Sequence, residues 1–204
     1  MTEIEVFADV VCPFTHVGLR RLVERRAELG AVFAVRVRAW PLELVNRGPL
    51  DADAVAEKVA VLRATVAPDL FGGFDREAFP YTSLAALALV AAAYRRDAAT
   101  GERASLLVRD ALFERGIDIS GAHALQRIAQ QLGVHVPLDA EDDVLGDWRE
   151  GRRRGVIGSP HFFVGGRDYF CPALRIDHVD GKLRIEPDQR AFDAFIEECV
   201  MAGP

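Results

Sequence analysis

Cysteine is scarce in this chain: three residues among 204, at positions 12, 171 and 199. An odd, widely spaced set does not build the disulfide framework of a small secreted protein. Positive charge is also in deficit. Lys and Arg number 25 against 31 Asp and Glu, a net charge of −6, which argues against general nucleic-acid or membrane-surface binding. No hydrophobic run reaches transmembrane length, and the apolar stretch Leu84–Tyr94 suits a buried helix instead. Glu3 and Glu5 occupy the place of a basic leader region, so a cytoplasmic protein is expected. No pair among the five histidines has zinc-site spacing with a cysteine, so no metal is expected. Internal repeats and low-complexity tracts are absent too. What remains is half hydrophobic and 27% charged, an ordinary globular composition long enough for one domain with a substantial insertion.

The most informative stretch is Val6-Phe7-Ala8-Asp9-Val10-Val11-Cys12-Pro13-Phe14-Thr15-His16. An apolar strand runs into Cys12, and an amphipathic helix begins at Pro13, whose missing N–H costs nothing in a first helical turn. A sulfur at a helix start faces unpaired N–H groups and the positive end of the dipole, which favour a charged, reactive thiolate. His16, four residues on, is placed to share the Cys12 proton.

Around this stretch the pattern alternates between strand and helix. Ile4, Val6 and Ala8 alternate with Glu5 and Phe7 in a first strand. Residues 13–29 form a helix with Leu19, Leu22 and Val23 inward, closed by Gly30. Val32–Trp40 forms a second strand that Pro41 ends. Residues 51–150 read as helices only, capped by Asp51 or Asp53, Thr82 or Ser83, Ser120 and Asp139, with Thr100 opening one more. They form a lid or subdomain between two α/β segments, 1–50 and 151–204. In the second segment, Phe162–Val164 and Asp168–Phe170 make a hairpin about Gly165-Gly166. A further hairpin spans Ile176–Ile185, and a last helix from Asp188 buries Cys199.

This order resembles the DsbA-like branch of the thioredoxin fold, an α/β fold with a large helical insertion between the second strand and the cis-proline hairpin. Asp9-Val10-Val11-Cys12-Pro13-Phe14 resembles the start of that branch's active site, and Gly155-Val156-Ile157-Gly158-Ser159-Pro160 its cis-proline loop. Leu112-Phe113-Glu114-Arg115-Gly116-Ile117-Asp118-Ile119-Ser120 resembles a recurring insertion motif. The resemblance implies a cis Pro160 against Cys12, with the Ser159 backbone free to hold an extended thiol substrate. Redox members carry a second cysteine three residues after the first, where this chain has Thr15. Without it the buried thiol that resolves a mixed disulfide is missing. The sequence is also similar to 2-hydroxychromene-2-carboxylate isomerases and kappa-class glutathione transferases, which usually place Ser at the Cys12 position.

The expected activity is therefore that of a thiol oxidoreductase or thiol-transfer enzyme. Cys12 is the nucleophile, Thr15 donates to its thiolate, and Pro160 positions the partner. Pro13, Phe14, His16, Ser159, His161 and Cys171 line the substrate site. A hairpin at Gly165-Gly166 brings Cys171 opposite Pro160, a candidate resolving thiol separated from Cys12 by two strand spacings. The expected partner is a small thiol or disulfide such as glutathione, and Arg152-Arg153-Arg154 offers charge for its carboxylates. A homodimer stays open, because faces that pair subunits read like core faces. The alternatives are a glutathione-type isomerase or transferase, with the helical insertion walling an apolar pocket, and a non-catalytic thioredoxin-fold binding module.

Overall fold

The sheet is built outward from one buried strand. In a computed structural model, which describes residues 3–137 and 139–202, β1 (Glu3–Ala8) pairs in parallel with β2 (Ala34–Ala39). On its other side β1 runs antiparallel to β3 (His161–Val164), which pairs with β4 (Arg167–Phe170), giving the order β2-β1-β3-β4. A parallel pair needs a crossover, and α1 (Pro13–Leu29) supplies it. Gly30 ends α1 in the left-handed conformation, φ 59°, as expected.

The alternation expected in β1 breaks at Phe7. Ile4, Val6 and Ala8 enter the main core, yet Phe7 is fully buried on the opposite face, against Trp40 and Val156. A central strand covered on both faces has no solvent side to keep polar. The second strand is shorter than expected, since Val32 stands exposed before β2 begins.

After β2 comes a short helix, α2 (Leu42–Asn46), which the sequence pattern did not indicate. The insertion then runs through α3 (Ala52–Thr65), α4 (Leu84–Arg96), α5 (Ala98–Phe113), α6 (Ala122–Leu132) and α7 (Ala140–Arg153). Asp51 caps α3 as expected. The α5 cap is Asp97, whose carboxylate accepts from Thr100 N at 2.7 Å; Thr100 lies inside the helix and donates to its cap. Ser120 is likewise displaced as a cap: it bonds to Asp118, and Gly121 stands at the head of α6. Helices α4, α5 and α7 lie on β2, so one continuous apolar cluster joins Val6, Val35 and Leu22 to Leu87, Val108 and Val144. The segment 51–150 shares its core with the thioredoxin-like elements.

The final hairpin, β5 (Leu174–Val179) and β6 (Lys182–Pro187), forms a separate two-stranded sheet against α3. It leads into α8 (Gln189–Met201), capped by Asp188, with Phe195, Ile196 and Cys199 buried. Among the described residues no helix is long and apolar enough to cross a membrane.

Candidate active site

Cys12 caps the N-terminus of α1 in an extended conformation, with Pro13 in the first turn and His16 N bonded to its carbonyl at 3.2 Å. The peptide bond between Ser159 and Pro160 is cis, as the resemblance implies. Pro160 packs toward α1, where a Cβ on Gly18 would lie 3.7 Å from its ring. The two loops are knitted by one serine. Cys12 Sγ donates to the Ser159 carbonyl at 3.1 Å, and Asp9 N donates to Ser159 Oγ at 2.9 Å.

Thr15 completes that junction in a way the sequence did not indicate. Its Oγ1 lies 2.8 Å from Ser159 Oγ, so its partner is Ser159 instead of Cys12. Of the Ser159 backbone, the carbonyl already accepts the Cys12 thiol. Thr15, Ser159 and Cys12 are all buried, Cys12 to 3% exposure. Pro13 is buried and Phe14 half-buried against the core.

His16 departs furthest from expectation. It is fully buried, and its Nε2 meets Glu114 Oε1 at 2.6 Å; its hydrogen-bond partner is Glu114, not Cys12. The ring packs between Phe71 and Phe113, with centroids at 5.2 and 5.0 Å. Burial lowers the imidazole's proton affinity despite the nearby carboxylates, so the ring is neutral and donates through Nε2. That tautomer leaves Nδ1, which has no partner, as a bare acceptor. Glu114 also accepts from Phe71 N (2.8 Å) and Gly72 N (3.1 Å). Burial raises the pKa of this carboxyl, but the His16 and main-chain bonds together outweigh it and hold it at about 2.

A second buried pair underlies the Cys12 turn. Asp9 is fully buried and accepts from Val11 N (3.2 Å), Leu42 N (2.6 Å) and Ser83 Oγ (3.2 Å). Burial outweighs those bonds and the nearby Arg109 charge, raising its pKa to about 6. Arg109, fully buried on α5, donates to the Asp9 carbonyl at 3.1 Å and to the Ser105 carbonyl at 3.0 Å. Burial pushes Arg109 down to about 10, against the opposing pull of Asp9 and Cys12. The sequence pattern did not bring this pair forward. Its signal was an arginine on the face that carries Ala104, Val108, Ala111 and Leu112.

His161 is buried among Phe163 and Phe170; its Nδ1 accepts from Ile157 N at 3.3 Å and its Nε2 lies 2.9 Å from Asp168. It braces the cis-proline loop from behind. Cys171 stands opposite Pro160 as expected, its N–H on the Pro160 carbonyl at 3.0 Å, with φ at 47°. All three cysteines are free thiols. Burial, and then the neighbouring Cys12, push the Cys171 thiol well above its ordinary pKa, and burial does the same to Cys199. Of the arginine run, Arg153 pairs with Glu150, and Arg154 pairs with Glu5 and covers Phe163. No cluster of metal-ligating side chains exists among the described residues. A cavity of about 560 Å³ does lie in the insertion, lined by residues of α4, α6 and α7, but none of the Cys12-site residues borders it.

Solved structures share this arrangement of elements. The fold is similar to 2-hydroxychromene-2-carboxylate isomerase, with TM-score 0.61 and 15% identity over 83% of this chain and 88% of that one. It is also similar to the cytosolic disulfide reductase DsbM from Pseudomonas aeruginosa, with TM-score 0.60 and 17% identity over 96% and 97% of the two chains. The structure of DsbM with GSH gives TM-score 0.58 and 16% identity over the same shares. Identities this low carry the fold alone. No curated protein sequence matches the chain. Residues 3–184 match the DSBA-like thioredoxin domain, which takes in the Cys12 helix start, the insertion and the cis-proline loop, and the chain belongs to that family.

Proposed function

We propose that this protein is a cytoplasmic monothiol oxidoreductase in which Cys12 exchanges with a small disulfide or a glutathionylated partner. The observation that carries the reading is the Cys12 sulfur at the start of α1, 3.1 Å from the carbonyl that precedes the cis proline. The Cys12 thiolate attacks one sulfur of the incoming disulfide, forming a mixed disulfide and releasing the other half as a thiolate. Thr15 has no thiol to resolve it. A second, external thiolate such as glutathione attacks the partner's sulfur, and Cys12 leaves as thiolate. Ile157 and Phe170, both exposed beside the Ser159–Pro160 loop, give the partner an apolar surface. The likeness to a cytosolic disulfide reductase also solved with GSH supports the compartment and the thiol.

A second reading is a glutathione-dependent isomerase or transferase that activates the cofactor's thiolate without covalent use of Cys12. The near-complete burial of Cys12, the Thr15 substitution and the fold of 2-hydroxychromene-2-carboxylate isomerase favour it.

Intact mass and peptide mapping after mixing reduced protein with oxidised glutathione separate the two. The redox reading expects glutathione on Cys12 and none on the Cys12→Ser variant. Absence of the adduct, with glutathione-dependent turnover retained by Cys12→Ser, would favour the isomerase or transferase.

A further inference from the structure

The C-terminal end of β2, the short α2 and the last turns of α7 enclose a second concavity, apart from Cys12. Trp40, Leu44, Val45, Arg47, Trp148 and Arg152 line a cavity of about 440 Å³, within the range of small-ligand sites. Both tryptophans of the chain stand in this wall. The Arg152 guanidinium lies 5.1 Å from the Trp148 ring centroid, and Arg47 ends α2 with φ 60°.

Neither guanidinium has an ion pair among the described residues. The acids nearby are engaged elsewhere: Glu43 accepts from Thr82 (2.8 Å), Asp147 from Arg38 (2.8 Å), and Glu150 from Arg153 (2.6 Å). Trp40 is 4% exposed, and its indole N–H has no acceptor. A buried donor left unpaired is unfavourable unless something else satisfies it. Arg47 and Arg152 are themselves solvent-exposed, and the buried indole N–H without an acceptor, beside a second indole, is what sets this recess apart from an ordinary solvated surface.

We propose that this cavity binds an organic carboxylate with a flat apolar body. The planar forks of Arg47 and Arg152 match a carboxylate, and the indoles with Leu44 and Val45 match the body. The site is independent of the thiol chemistry proposed for Cys12. It is linked to the Cys12 turn through α2, whose first N–H bonds to Asp9 at 2.6 Å, and through Trp40, whose N–H bonds to the Ala8 carbonyl at 3.1 Å.

The two tryptophans make the test direct. The full chain is titrated with phenylacetate and with its neutral isostere phenylacetamide, following tryptophan fluorescence and calorimetric heat. The expected result is saturable binding of phenylacetate, about tenfold weaker for the amide. Arg47→Gln with Arg152→Gln brings the acid down to the affinity of the amide, the fold being checked by circular dichroism. Arg47→Lys with Arg152→Lys restores part of the difference. Equal affinities for acid and amide, no saturation, or an unaffected double Gln variant would overturn the proposal. A tryptophan signal that changes with protein concentration alone would also overturn it, by showing a second copy on this face. The titration is repeated on Cys12→Ser, where binding must persist whether or not the thiol reading holds.

Discussion

His16 Nε2 lies 2.6 Å from Glu114 Oε1, a bond between the first turn of α1 and the segment after α5. The same carboxylate accepts from Phe71 and Gly72, so three distant stretches meet on one side chain. The recurring motif around Glu114 is thus the point where the insertion docks on the helix that carries Cys12. Removing the acceptor leaves buried donors unpaired. Glu114→Ala is expected to destabilise the fold by about 2 kcal/mol, read from urea midpoints, with Glu114→Gln recovering part of the loss.

The same bond predicts an acid response. Glu114 has an ordinary pKa of 4.5 and about 2 in the folded chain. A depressed acid contributes stability above its unfolded value and loses it as pH falls through the folded one. Wild type should therefore weaken between about pH 4.5 and 2 through this group, and Glu114→Gln should lack that component. Parallel acid profiles for the two proteins would contradict the assignment.

Asp9 predicts the opposite sign. Its ordinary pKa of 3.8 rises to about 6 on folding, so the folded state binds the proton more tightly. Stability should fall as pH rises from about 4 to 6 and level off above, a change on the order of 3 kcal/mol. Asp9→Asn should flatten that slope. Its absolute stability is a poorer readout, because Asn cannot accept from Val11, Leu42 and Ser83 together.

Thr15→Cys should convert the site to a dithiol. The residue occupies the third position after Cys12 in the first turn of α1. On oxidation the variant should form an internal bridge between Cys12 and the introduced thiol, two hydrogens lighter by mass, where wild type is expected to hold glutathione. Loss of the Ser159 partner should cost about 1 kcal/mol. Persistence of the glutathione adduct in oxidised Thr15→Cys would sink this expectation.

Alkylation of the native protein at neutral pH should label Cys12 before Cys171 and Cys199, whose thiols burial keeps protonated. Unfolding in denaturant should make the three equal. Early labelling at Cys171 would contradict its environment.

Much of this was legible in residue order, because the signals are local. Gly30 and Gly133 close helices in the left-handed conformation that glycine tolerates, and Asp51 and Asp188 cap the helices that follow them. The turn at Gly165-Gly166 sets the register that puts Cys171 opposite Pro160. Thr100 and Ser120 failed as caps for a local reason as well, since Asp97 and Gly121 compete for the same helix ends a few residues earlier or later.

The sequence by itself determined the order of the strands and of every long helix, the helix-start thiol and the missing second cysteine, since each rests on neighbours within a few residues; the short α2 and the start of β2 did not follow from it. Tertiary structure alone decided the partners of the buried polar groups. Thr15 bonds to Ser159, His16 to Glu114, and Arg109 to the Asp9 carbonyl, across 144, 98 and 100 residues. Periodicity specifies that a side chain points inward. Which donor or acceptor it meets there depends on how the helices pack on the sheet, because burial removes water and obliges each polar atom to find its partner in whichever element packing brings alongside.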